Sequence, residues 1–219
     1  MDNQMKIFIK LFFVLTASST FSFGQASDKF NKTIGGEGTL DVCSFYTPLI
    51  STDTYGLNVD FKFYPVKSLA TGFCASIANR KIGTAFQYTI GQPIVYYYEF
   101  GWINQYDVLQ KDRLRIGLNI NNGISYSELG DNDVKVKYWT RYGAGEKAKI
   151  ISTNYFYLLE PGLDINVRLF SHKHDPDFYL TLKTKYRFVF GDIKYGQRSD
   201  FTNFYFGLGI SAIGFFDKK

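Results

Sequence analysis

From Tyr55 to Phe63 the chain alternates without a fault: Tyr55, Leu57, Val59, Phe61 and Phe63 are apolar or aromatic, while Gly56, Asn58, Asp60 and Lys62 are small or polar. Successive side chains of a strand point to opposite faces, so this pattern predicts a strand with one fully apolar face and one charged face. The same period of two recurs along the chain and predicts eight strands: Gly38–Tyr46, Tyr55–Phe63, Leu69–Asn79, Ile82–Trp102, Arg113–Tyr126, Thr153–Phe170, Phe178–Phe190 and Phe201–Phe216. The fourth of these holds one apolar phase on its even positions straight through Gly91 and Pro93. That continuity predicts one long strand with a bulge or an interrupted ladder at the proline, which has no donor to give.

The connections Tyr64–Ser68, Asn104–Asp112 and Ser171–Asp177 are short, whereas Ser127–Ser152 and Gly191–Asp200 are long. An even number of strands with short turns at one end and longer loops at the other predicts a closed, antiparallel, up-and-down barrel. Both termini then fall at the short-turn end.

A soluble eight-stranded barrel of the lipocalin type would alternate in the same way. Three features favour a lipid-facing barrel instead. Bulky Phe and Tyr from eight strands would crowd a narrow lumen, while the polar face carries many Gly, Ala and Ser beside its charges. The apolar face of the second to eighth strands carries no Lys, Arg, Asp or Glu, as expected where one Lys or Arg at mid-bilayer costs about 2–4 kcal/mol. Aromatics gather where the strands should cross the interfaces: Phe63, Tyr96, Tyr98, Phe100, Trp102 and Phe216 towards the short turns, and Tyr55, Tyr126, Tyr155, Tyr157, Phe188 and Phe204 towards the long loops.

Composition agrees, with 22 Phe and 17 Tyr in 219 residues and no apolar run long enough for a membrane helix. The N-terminus has Lys6 and Lys10 ahead of a short apolar run and small residues, which predicts a secretory signal peptide over 1–26 and a barrel domain over 27–219. No room is expected after the last strand for a peptidoglycan-binding domain. The net charge of +5 is modest and no basic cluster suggests nucleic-acid binding. Cys43 and Cys74 lie on the polar faces of strands separated by another strand, beyond disulfide reach, so two free interior cysteines are expected.

The segments Val59-Asp60-Phe61-Lys62-Phe63-Tyr64-Pro65, Leu158-Leu159-Glu160-Pro161-Gly162-Leu163 and Phe206-Gly207-Leu208-Gly209-Ile210 resemble those of the small outer-membrane β-barrel proteins of Gram-negative bacteria, the OmpA-like eight-stranded kind. The resemblance spans nearly the whole chain after the leader and implies an outer-membrane location, with assembly by the outer-membrane machinery. Family members end on an aromatic residue that serves that machinery; here Phe216 is followed by Asp-Lys-Lys, a small departure.

Folding the parity inward collects Asp41, Asp60, Glu99, Glu160 and Asp164 with Lys62, Arg115, Arg168, Lys183, Lys185 and Arg187 in the lumen. Charges removed from bulk water must pair. The expected consequence is an ion-pair network plugging a lumen too narrow for solutes; the alternative is a narrow pore or a carrier of small solutes or hydrophobic molecules. The two histidines, His172 and His174, fall in a short turn without a third metal ligand, and no acid/base or nucleophile set is recognisable. Neither an enzymatic activity nor a cofactor or metal is expected. Asp131-Asn132-Asp133 lacks the rest of a calcium loop and is expected to be a polar turn. Lys135, Lys137, Trp139, Arg141, Lys147 and Lys149 in the longest loop are the candidates for binding, with anionic lipopolysaccharide or an extracellular ligand as partner.

Overall fold

The computed structural model describes residues 37–111, 113–140, 143–170 and 176–215. The expected signal segment, Arg141, His172, His174 and Phe216 lie outside the described residues.

Among the described residues nine strands, β1 (Glu37–Leu49), β2 (Thr52–Val66), β3 (Leu69–Lys81), β4 (Pro93–Lys111), β5 (Leu114–Thr140), β6 (Gly143–Phe170), β7 (Asp177–Tyr186), β8 (Phe188–Phe190) and β9 (Phe204–Phe215), make eight staves, because β7 and β8 are two parts of one. Each stave pairs antiparallel with its chain neighbours, β5 with β6 and β9 back to β1, so the sheet closes on itself. The first and last staves meet at Glu37 and Phe215. That end of the barrel also carries the ends of β2, β4 and β6; the opposite end carries the Ile50–Ser51 turn, the far end of β5 and the start of β6, and the segments 82–92 and 191–203.

Burial is inverted relative to a soluble domain. Leu57, Phe61, Ile124 and Ile210 stand about half exposed on the outer wall, while Arg187, Lys62 and Lys183 are among the largest fully buried side chains. Soluble monomers do not leave apolar area of this extent in water, whereas a bilayer solvates it. Period two explains the arrangement: a register slip of one residue would turn Asp60 and Lys62 towards lipid and bring Phe61 inside.

Several elements depart from their sequence expectation. The long strand over Ile82–Trp102 does not form: β3 stops at Lys81, 82–92 leaves the sheet, and Pro93 opens β4. Proline suits a first strand position, where its missing donor costs nothing, and its carbonyl still accepts from the Ile82 N–H at 3.0 Å. The even residues Phe86, Tyr88 and Ile90 are apolar because they pack inward over the barrel mouth, not because they face lipid. β4 then continues to Lys111 through the stretch expected to turn, with a bulge between Asp107 and Leu109. With β4 placed this way, Tyr96 and Tyr98 belong to the loop end: Tyr98 stacks on Tyr126 with ring centroids 4.6 Å apart.

The long loop Ser127–Ser152 is also absent as a loop, because β5 and β6 run on as a hairpin to Thr140 and Gly143. Its lysines alternate with Val134, Val136 and Tyr138, a strand pattern that a high lysine content disguises. The seventh stave breaks at Arg187, whose N–H turns to the Asn203 carbonyl at 2.9 Å. Finally, β1 and β2 join through Ile50 and Ser51, both at positive φ (52° and 54°). This is the φ pattern of a two-residue hairpin turn whose twist matches the strands. For a branched residue it costs about 1–2 kcal/mol, offset by burial of the Ile50 side chain and by its N–H bond to Asp200 O at 3.0 Å.

Candidate functional site

The charged side chains of the lumen lie in two groups at mid-barrel. In the first, Lys62 Nζ reaches Asp41 at 2.9 Å, Asp164 at 3.1 Å and the Gln105 side-chain carbonyl at 2.8 Å. Lys183 Nζ reaches Asp41 at 2.7 Å and Asp60, with Asp164 at 4.0 Å. Asn58 and Asn119 donate to Asp60 and Asp164 at 3.0 and 2.8 Å. In the second, Arg187 bridges Glu99 and Glu160, its Nε 2.9 Å from Glu160, and lies over the Tyr97 ring at 4.7 Å. Lys185 contacts Glu160 at 3.9 Å and lies over Tyr205 at 5.0 Å.

Arg115 and Arg168 do not join these groups. Arg115 pairs with Glu37 where β1 begins, and Arg168 pairs with Asp177 at 3.5 Å, both partly exposed. Asp41, Asp60 and Asp164 bring carboxylate oxygens within 4.8 Å of one another, a spacing that suits a metal ion. Two ammonium groups already fill the space between them, so the donor set fits lysine and not a dication. Cys43 and Cys74 are free and buried on either side of β2.

Above the second group the lumen changes character from charged to apolar, a cap that the sequence reading of the lumen did not include. Phe45, Val95, Leu129, Phe156, Leu158 and Val189 point inward and form one apolar cluster, completed by Tyr195 and Phe201 from the segment 191–203 and by Phe86, Tyr88 and Ile90 from 82–92. The two segments are tied together: Gln87 Nε2 donates to Lys194 O at 3.1 Å, and the Phe86 and Tyr195 rings are 5.5 Å apart. Asn154 clamps the strap from β6, donating to Tyr195 O at 3.0 Å and accepting from the Lys194 N–H at 2.7 Å. A signal for this cap was present in the runs Ile94–Tyr98, Tyr155–Leu159 and Phe204–Phe206, where both parities are apolar. Such runs belong to strands covered on both faces.

The hairpin is the opposite kind of surface. β4 leaves β5 at Pro93↔Asp131, and β8 leaves β6 at Tyr157↔Phe190, so the two strands project beyond the wall with only each other as partner. Lys135, Lys137 and Trp139 share one face with Glu146; Lys147 and Lys149 are on the other with Val136 and Tyr138. All four lysines are exposed, and Trp139 is 82% exposed. The Tyr138 ring lies over Gly145, where a Cβ would come within 2.6 Å of it and displace the ring from this position.

The base of the hairpin is fixed by Asp131. Its carboxylate accepts from the Asp133, Gln92 and Gly91 N–H groups at 3.0, 3.3 and 3.4 Å. Those backbone bonds, Asp133 foremost, hold its pKa below the ordinary carboxylate range. Asp131-Asn132-Asp133 is thus a polar corner whose first carboxylate is taken up by backbone donors.

No family model matches the sequence, and no characterised protein matches it. Solved structures do. The attachment invasion locus protein Ail of Yersinia pestis, determined in complex with the heparin analogue sucrose octasulfate, aligns over 83% of this chain and 100% of its own at TM-score 0.50 and 10% identity. Neisserial surface protein A aligns over 84% of this chain and 98% of its own at TM-score 0.51 and 10% identity. At such identities the likeness is one of fold. Fold and apolar belt together make this chain an eight-stranded β-barrel of the outer-membrane kind.

Proposed function

We propose that the protein is a closed outer-membrane barrel that acts through its projecting hairpin, which binds a polyanionic ligand outside the cell. One observation carries this reading: Lys135, Lys137, Lys147 and Lys149 stand in solvent beside Trp139, while the central lumen cations are occupied by carboxylates. An exposed ammonium, even one that also donates to a neutral amide as Lys135 does to Asn132, is available to sulfate or phosphate; a buried one paired with carboxylates is not. The lysines divide two and two between the faces of a thin ribbon. That geometry suits an extended chain such as a sulfated or phosphorylated glycan lying along an edge, with Trp139 to stack on a sugar ring. The heparin analogue bound to Ail is a compound of this class, and supports the choice of probe.

The mid-barrel ion pairs and the apolar cap support a lumen that does not conduct. Neither feature offers a reacting group, and the reading is non-enzymatic.

The test is binding of refolded protein to immobilised heparin over a salt series. Replacing Lys135, Lys137, Lys147 and Lys149 together by Gln is expected to weaken binding at least about fourfold, since exposed ion pairs contribute about 0.2–1 kcal/mol each. The loss should shrink as salt rises, because exposed charges are screened. Undiminished binding by a variant that keeps its heat-modifiable gel mobility would remove the hairpin from the reading.

A further inference from the structure

The outer wall of β4 is not apolar throughout. Its outward row reads Tyr98, Phe100, Trp102, Asn104, Tyr106 and Val108, of which Phe100, Tyr106 and Val108 stand exposed as a lipid-facing row requires. Asn104 is six residues from Tyr98, whose stack on Tyr126 marks the interface at the loop end. Six residues are roughly 20 Å along a strand, which the tilt usual in such barrels turns into about 15 Å of depth. Half of a hydrocarbon layer is also about 15 Å. The Asn104 carboxamide therefore lies near the middle of the bilayer, on the face turned to lipid.

Its neighbours fix which way it points. The Thr71 hydroxyl donates to Asn104 Oδ1 at 3.0 Å, and the Trp102 indole N–H donates to the same oxygen at 3.3 Å. An indole N–H only donates, so the oxygen must be the end turned towards it and the NH₂ group points away. That NH₂ group donates to no described residue. Beside Asn104 the wall hollows to about 290 Å³ between Leu69, Tyr106, Leu118 and Ile120. A second carboxamide of the outward row, Asn122 on β5, faces Trp102 across the ladder; it is buried, and its Oδ1 has no donor.

An unused donor in hydrocarbon costs free energy, and neither acyl chains nor water offer an acceptor at that depth. Lipid acceptors lie at the boundary of the layer, about 15 Å away. Another protein wall crossing the same layer can supply one. A two-fold axis along the membrane normal preserves depth, so a second copy brings its own Thr71 and Asn104 oxygens to the level of the first copy's NH₂ group. A carboxamide both donates and accepts, which makes the contact self-complementary. We infer that the wall of β3, β4 and β5 is the interface of a homodimer within the membrane. Asn104 lies at its centre, donating to the oxygens of the Thr71–Asn104 pair across the axis, and side chains of the facing wall enter the hollow. The inference rests on the barrel and not on what the hairpin binds.

Energy transfer between copies of the full-length protein in phosphatidylcholine vesicles tests this. Dyes on Glu146→Cys, an exposed hairpin position, report proximity, because Cys43 and Cys74 are buried. As protein is concentrated in the lipid, transfer should saturate well above the level that chance encounters give. Asn104→Leu should move the midpoint about eightfold to higher density, for two symmetry-related bonds of the average strength measured in membranes. Leu118→Trp, which fills the hollow, should move it in the same direction. Ser44→Ala, which removes an outward hydroxyl from β1, should leave it in place. Transfer no greater than chance, or a midpoint that Asn104→Leu does not move, would overturn the dimer and leave the wall to lipid. Should Asn104→Leu lose its heat-modifiable mobility, Leu118→Trp decides in its place.

Discussion

The lumen and the hairpin use the same residue types to opposite ends. Lys183 is fully buried and meets three carboxylates; Lys137, a residue of the same chemistry, stands in water with Glu146 across the ribbon. Where water is excluded, an ammonium group cannot be left alone, and its neighbours fix both its position and its charge. Where water is present the same group is mobile, screened and worth little to the fold. Stability is therefore concentrated in the lumen, and availability to a ligand in the hairpin.

The sharpest way to break that contrast is Lys183→Met. Lys183 meets all three of Asp41, Asp60 and Asp164 whereas Lys62 meets Asp41 and Asp164, so its removal leaves carboxylate charge uncompensated, Asp60 foremost, and the expected loss is about 3–5 kcal/mol. Urea unfolding in lipid vesicles, followed by heat-modifiable mobility, measures it. Adding Asp60→Leu should recover part of the loss, a positive coupling of contacting groups. A cost below about 1 kcal/mol for the single variant would mean that the lumen is wet and its pairs are replaceable.

A smaller effect is expected at the apolar cap. Phe201 is fully buried against Phe156 at 4.9 Å and Tyr195 at 6.0 Å. Phe201→Ala should cost about 3 kcal/mol, the low end for a buried Phe because the strap can settle inward. The loss should be local: added protease should cut within 191–203 at a higher rate, while the ion pairs below stay intact and planar bilayers stay silent. Conductance appearing in this variant would show that the cap, and not the ion pairs, closes the barrel.

The two regions also differ in how much of them was legible. Period two assigned Asp60, Lys62 and Lys183 to the inner face because a strand allows only two directions. Which charge meets which was not readable, since Lys62 and Asp164 are 102 residues apart and neighbours only after closure. For 82–92 the apolar phase was real and its meaning was not: alternation cannot distinguish a side chain facing lipid from one packed into a mouth. In 127–152 the reverse happened. Val134, Val136 and Tyr138 carried a strand signal, and the interleaved lysines, favourable on a solvated ribbon, gave it the composition of a loop.

The smallest expected effect lies at the junction of the two regions, where Asp131 ties the hairpin to residues 91–92. Because its three backbone donors hold the folded pKa below the unfolded one, the ionised carboxylate contributes order that is fully present above the ordinary carboxylate range. That contribution is lost as pH falls through the depressed folded value. Hydrogen exchange at the Gly91, Gln92 and Asp133 amides should therefore lose protection in acid, after correction for the intrinsic rates. Asp131→Ala should show the reduced protection at neutral pH and lose its pH dependence, with the barrel's unfolding midpoint unmoved. If the midpoint moves with those amides, the hairpin and the wall unfold as one unit, and the separation between a rigid lumen and an independent binding ribbon fails.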